Sequence, residues 1–195
     1  RVVASISYFW GGHDKFTLFY QGYSPAGYSY TYNGDLNGDG ISNDLMYIPK
    51  DDSEIKFTNE ADRAPFWQYV EQDSYLKNHK GEYAEAYSAR APFVHRFDFK
   101  YAHVFTLRTG SVNHKLELGF DIMNVGNLFS SKWGVEKNMN DAYSGKFLNV
   151  DKVVDGVPYF SMRNNKGVYP TQTWSYIKNY TQCWKLQIGV KYYFN

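Results

Sequence analysis

The stretch Asp35-Leu36-Asn37-Gly38-Asp39-Gly40-Ile41-Ser42-Asn43-Asp44 carries the most specific chemical pattern in the chain. Oxygen-bearing side chains stand at its first, third, fifth and ninth positions, and Gly40 stands at the sixth, where a sharp turn is needed. That is the layout of an EF-hand-like calcium loop, in which alternate residues turn hard oxygen ligands toward one ion. Asp35, Asn37, Asp39, Ile41 (the backbone-carbonyl position), Asn43 and Asp44 are the candidate ligands. The pattern departs at the twelfth position, where Met46 replaces the bidentate acid; Asp44, Asp51 and Asp52 are the acids available in its place. The alternative is a turn rich in Asp and Asn that satisfies its own backbone without metal.

Catalytic patterns are missing from the sequence. His13, His79, His95, His103 and His114 show neither HExxH nor HxH spacing, so zinc has no local sequence signal. His103 alternates with aromatics and reads as an interface residue rather than a base. There is no GxSxG, P-loop or GxGxxG. Cys183, the single cysteine, reads as a small packed side chain beside Trp184, and it excludes a disulfide framework and any multi-cysteine metal site. Carboxylate neighbours such as Asp51 and Asp52 are common on loops and do not make a glycosidase. The sequence is that of a protein without enzymatic chemistry.

The elements that position these residues follow from alternation. From Trp184 to Phe194 the even positions are Trp, Leu, Ile, Val, Tyr and Phe, while the odd ones are Lys, Gln, Gly, Lys and Tyr. This is a two-faced strand, of the roughly 9–11 residues that a tilted strand needs to cross a bilayer. Aromatics mark both ends of its apolar face, where interfacial girdles belong. A second pair, near 96–107 and 115–124, alternates in the same way around a turn at Gly110-Ser111. One register sets Lys100 against Asp121, Phe99 against Ile122 and Tyr101 against Phe120, so both faces match at once. A weaker hairpin joins strands near 2–10 and 16–23 through Gly11-Gly12-His13-Asp14.

Two long polar stretches, 24–95 and 126–182, separate these strands. Between Asn59 and Leu76 the apolar residues Phe66, Trp67, Tyr69, Val70 and Tyr75 fall near helical spacing, with Pro65 in the first turn and Asn59 or Asp62 as cap. Tyr28, Tyr30 and Tyr32 alternate as one face of a loop strand, or as a stacking ridge for ligand. Tight turns and long loops thus alternate, as in outer-membrane barrels.

Composition sets the outer limits. Among 195 residues, 21 Lys and Arg balance 20 Asp and Glu, so a net charge of +1 offers no argument for nucleic acid. An apolar share of 43% excludes a disordered chain. The unusual quantity is the aromatic share, 19%, led by 19 Tyr, residues suited to boundaries that are wet on one side and apolar on the other. No apolar run reaches the roughly 18 residues of a transmembrane helix, and the first residues do not read as a signal peptide. Five strands cannot close a membrane barrel, which takes about eight or more. The expected fold is all-β; if these strands cross a membrane rather than build a soluble sandwich, the chain is the C-terminal portion of an antiparallel transmembrane β-barrel, with two long outer loops, one holding a short helix.

Several stretches, in order, resemble the C-terminal part of TonB-dependent outer-membrane receptors of the Oar-like, Bacteroides-type branch. They are Tyr30-Thr31-Tyr32-Asn33-Gly34-Asp35 through Gly40, Asn43-Asp44-Leu45-Met46-Tyr47-Ile48-Pro49, Arg90-Ala91-Pro92-Phe93-Val94-His95-Arg96-Phe97-Asp98, Asp121-Ile122-Met123-Asn124-Val125-Gly126-Asn127-Leu128 with Trp133-Gly134, and Gln187 to Asn195. The resemblance implies a barrel of about 22 strands, filled by a plug and located in the cell outer membrane. It also implies energy-coupled import of a solute through a TonB complex that pulls on the plug. Partners would be outer-membrane lipid, the plug and remaining strands of the same receptor, the barrel-assembly machinery reading Tyr192 and Phe194, and in some systems a surface lipoprotein. Asp98, Lys100, Glu117, Asp121, Lys185, Gln187 and Lys191 would then face the lumen. Two rivals share the composition: a soluble aromatic-rich β-sandwich that binds glycans, and a passive pore.

Overall fold

The computed structural model describes residues 1–139 and 145–194. The chain divides into two compact units, one made of Arg1–Pro25, Pro92–Glu136 and Tyr176–Asn195, the other of Ala26–Ala91 and Lys137–Ser175. The first unit is built on five strands: β1 (Val2–Trp10), β2 (Asp14–Tyr23), β3 (Val94–Thr109), β4 (Val112–Met123) and β5 (Lys185–Phe194). They pair antiparallel in chain order. β-branched and aromatic residues at every second position favour this pleated, half-covered geometry.

One register serves the whole sheet. Tyr8, Phe16, Tyr101, Phe120 and Ile188 stand side by side across it, and Ile6, Leu18, Phe99, Ile122 and Leu186 form the next rung. On the opposite face the intervening rung reads Ser7, Thr17, Lys100, Asp121 and Gln187. The three pairings expected from alternation, Lys100 with Asp121, Phe99 with Ile122 and Tyr101 with Phe120, are those observed. The sheet is open: β1 pairs only with β2, β5 pairs only with β4, and no closed barrel forms among the described residues. No helix among them is long and apolar enough to cross a membrane, which bears on helices and not on strands.

The strand ends differ from expectation for local reasons. β2 starts at Asp14 rather than at 16, because the turn uses only Gly11, Gly12 and His13. β3 and β4 run on to Thr109 and from Val112, since Gly110-Ser111 alone makes the reversal, with Gly110 at φ +63. β5 begins at Lys185 instead of 183, after a short 3-10 turn at Tyr180–Gln182 that the Asn179 side chain caps through Thr181 N.

The largest departure concerns stretches 24–95 and 126–182, expected as loops. Most of them folds into the second unit, which has a core of its own: Tyr30, Met46, Ile48, Phe66, Tyr69, Val70, Leu76, Phe147, Leu148, Phe160 and Met162 are buried there. A hairpin of Leu148–Val154 and Val157–Met162 contributes to it. Where one short helix was expected there are two, α1 (Arg63–Gln72) and α2 (Ser74–Asn78). They break at Asp73, whose extended backbone ends α1 and whose side chain accepts from Tyr75 N and Leu76 N to start α2. Asn59 does cap, but it caps the preceding 3-10 turn through Ala61 N; Asp62 makes no capping bond. Its buried carboxylate instead accepts from Tyr169 Oη at 2.6 Å and Met162 N at 3.0 Å.

Candidate functional site

Alternation places all seven charged or amide residues expected on one face of the sheet on that face. Lys100 Nζ lies 3.1 Å from Asp121, and Lys191 Nζ lies 3.0 Å from Glu117. Gln187 stands beside Asp121 in the ladder, and Lys185 beside Met123. Asp98 accepts from Asn124 N at 2.6 Å, tying the end of β4 to β3. Next to it, Asn124 is buried at φ +53 and donates from Nδ2 to Gln182 O at 2.8 Å. A Cβ on Gly134 would stand 1.9 Å from the Asn124 side chain, so glycine is required there. Arg96 Nη2 closes this knot on Gly134 O and Gln182 Oε1, at 2.9 and 2.8 Å. The face thus carries paired charges and hydrogen bonds, interrupted by Val3, Phe9, Phe19, Val104, Met123 and Tyr193.

The opposite face is apolar and uncovered. Ile6, Ile188 and Phe194 keep 69%, 74% and 74% of their surface accessible, which in water leaves a long greasy band without cover. Tyr192 and Phe194 lie on this side, opposite Leu116 and His114, and the Tyr192 ring stacks on His114.

The Asp35–Asp44 loop is held by its own amides. Asp35 accepts from Gly38 N and Gly40 N, both at 2.7 Å, Asn37 Oδ1 from Asp39 N at 2.9 Å, and Asp39 Oδ1 from Ile41 N at 2.7 Å. Asp44 Oδ2 accepts from Leu36 N at 2.7 Å, and the Ile41 carbonyl from Asn43 N at 3.1 Å. The amide of Gly40 foremost, joined by those around it, holds the Asp35 carboxyl below its usual range. Met46, at the twelfth position, is fully buried in the core and supplies no ligand. Asp35, Asp39 and Asp44 do not bring three acid oxygens within 4.8 Å of one another. The donors suit calcium in kind, and the amide bonds they accept already hold the turn.

The tyrosine ridge is corrected by the structure. Only Gly27–Tyr28 is strand in that segment, and Tyr30 and Tyr32 point into the core rather than toward ligand. Tyr30 Oη donates to Asp73 Oδ2 at 2.8 Å, while Tyr32 stacks on Phe160 with ring centres 5.1 Å apart. Burial pushes the Tyr32 hydroxyl up to about 12; burial, and then the Asp73 charge, push that of Tyr30 well above the ordinary tyrosine value. In the same unit a cleft of about 400 Å³ is lined by Thr58, Asn59, Asp62, Asn149, Asp151 and Ser161, among others. Its Asp151 carboxylate accepts from Thr58 Oγ1 at 2.6 Å and Ser161 Oγ at 2.8 Å.

One cluster had no sequence signal. On the apolar face, in the rung Trp10, Asp14, His103, Leu118 and Val190, a carboxylate lies beside an imidazole. His103 Nδ1 and Asp14 Oδ1 are 2.7 Å apart, and His13 Nε2 lies 3.3 Å from Asp14 Oδ2. His13 and His103 are 90 positions apart in the chain, so only the β2–β3 pairing could reveal that they share one acid. No family model, curated protein or solved structure matches the chain.

Proposed function

We propose that the chain is the final portion of an outer-membrane receptor barrel that takes up a solute by TonB-coupled transport. The observation that carries this reading is the continuous ladder with one uncovered apolar face and one charge-paired polar face. Hydrocarbon on one side and water with a plug on the other would meet both needs. Two unpaired edges support it, since nine residues of β1 and ten of β5 offer ladder groups that only further strands would satisfy. Both tight turns fall at one end of the sheet and both long excursions leave from the other, as short periplasmic turns and long outer segments do. A sandwich would bury its apolar face against a second sheet, whereas Ile6, Ile188 and Phe194 on this face stay exposed.

In this reading Lys100, Asp121, Glu117 and Lys191 face the lumen with Asp98, Lys185 and Gln187. Aromatics anchor the lipid boundary, and the excursions supply the ligand-contacting surface, the polar cleft at Asp151 included. Tyr192 and Phe194 present the assembly signal. The reading requires no cofactor, and it involves no catalysis.

Fractionation of cells producing the full chain tests the setting. Recovery with the outer membrane, released only by detergent, is expected; folded protein in the aqueous fraction overturns the reading. Uptake that stops when the inner-membrane proton gradient is collapsed is expected of a coupled receptor. Uptake indifferent to the gradient would instead make the molecule a passive pore.

A further inference from the structure

The rung that holds Trp10, Leu118 and Val190 also holds Asp14 and His103, the one place on the apolar face where a carboxylate and an imidazole adjoin. Such groups are costly beside greasy neighbours unless they are paired or bind something. Their arrangement is built rather than incidental. Tyr101 Oη donates to Asp14 Oδ1 at 2.6 Å and orients the carboxylate. Val104 N donates to His13 O at 2.8 Å, pinning the turn against β3. A Cβ on Gly11, at φ +58, would come within 2.6 Å of His13 Cε1, so glycine there clears room for the imidazole. The two imidazole rings stand edge to face, 5.1 Å between centres.

We propose that His13, Asp14 and His103 bind a divalent transition-metal ion of the zinc, copper and nickel class. One ligand atom from each lies within 4.8 Å of the other two. Two ligands about 2.0–2.1 Å from one tetrahedral ion stand about 3.3 Å apart, which is the separation of His13 Nε2 from Asp14 Oδ2. The closer pair, His103 Nδ1 and Asp14 Oδ1, is joined by a proton; the ion displaces that proton to solvent and the pair opens by about half an ångström. Two imidazoles with one carboxylate select borderline metals over calcium or magnesium, which take all-oxygen sets. Tyr101 supports the carboxylate from outside the coordination shell. With the His13 side chain 52% accessible, water can fill the remaining position and ions can enter. The ion would staple the β1–β2 turn to β3, a structural role that does not rest on the transport reading.

The test uses the full, untagged chain in detergent, stripped with chelator. Copper(II) paramagnetic resonance of the unaltered protein should show coupling to two imidazole nitrogens at a stoichiometry of one ion. Zinc titration against a chromophoric chelator should weaken about tenfold or more in His13→Gln and in His103→Gln, and stay unchanged in His114→Gln. Zinc should raise the melting temperature of the unaltered chain and of His114→Gln only. A copper spectrum with fewer than two nitrogens, or zinc affinity that survives the His13→Gln/His103→Gln pair, overturns the site. If the variants fail to fold, the copper spectrum of the unaltered chain still decides.

Discussion

The two units spend the same unusual aromatic supply in opposite ways. In the unit built from residues 26–91 and 137–175, Tyr30, Phe66, Tyr69 and Phe147 are sealed from solvent, the first three packed on the ring of the last. In the five-stranded sheet, Tyr8, Trp10, Tyr192 and Phe194 stand on the surface with more than half their area open. The first pattern is how a protein covers its apolar surface from within; the second leaves that surface for something outside the chain to cover. The contrast shows that aromatic content alone does not reveal whether a segment faces lipid. What separates the two units is whether their apolar faces find cover within the chain.

The largest effect is expected in the core of the second unit. Phe66 packs its ring against Phe57, Trp67 and Phe147. Phe66→Ala should cost the smaller-stranded unit about 3–5 kcal/mol. Hydrogen exchange should then show the amides of α1 losing protection while those of β3 and β4 keep theirs. Loss of both together would mean that the two regions are not independently satisfied.

Ile188→Lys, mid-strand on the open apolar face, should cost about 2–4 kcal/mol in a bilayer, and Gln187→Lys on the polar face well under about 1 kcal/mol. Refolding titrations into lipid vesicles would measure both. Equal penalties would count against hydrocarbon on one side only.

Alkaline pH should separate the regions more gently. Folding suppresses ionisation of Tyr30 and Tyr32, with Tyr32 pushed up to about 12. Their contribution is therefore intact below the ordinary tyrosine value of 10.0; that of Tyr32 is lost as pH climbs from there toward 12, and that of Tyr30 goes on falling beyond it. Ultraviolet titration should find these phenols ionising only as their own unit opens. The smallest effect is expected at the Asp35–Asp44 loop, where amide bonds to the carboxylates already hold the turn, so calcium added after chelation should change limited proteolysis little. Protection that depends on calcium would show that the loop rearranges to ligate.

How much of this was legible in sequence follows from the range of each interaction. Strand faces repeat every two residues, so the β3–β4 register could be read from Lys100, Asp121, Phe99 and Ile122 without any structure. The core of the second unit was not legible, because its partners come from distant segments: Tyr32 meets Phe160, and Asp62 meets Tyr169. Tyr28, Tyr30 and Tyr32 carried a strand-like pattern, but long-range burial rather than local alternation decided where two of them point. The calcium-like spacing was real as a pattern; the same side chains that would ligate an ion also cap the turn. His13, Asp14 and His103 were invisible for the plainest reason, that residues 14 and 103 become neighbours only once β2 lies against β3.

The shared ladder also governs which changes of length a gene for this chain can tolerate. Adding or deleting one codon within β3 or β4 would swap every downstream side chain in that strand between the two faces, and would place Lys100 or Asp121 where Phe99 and Ile122 now sit. Insertions and deletions should therefore accumulate in the excursions, while the strands and their two tight reversals diverge by replacement at constant length.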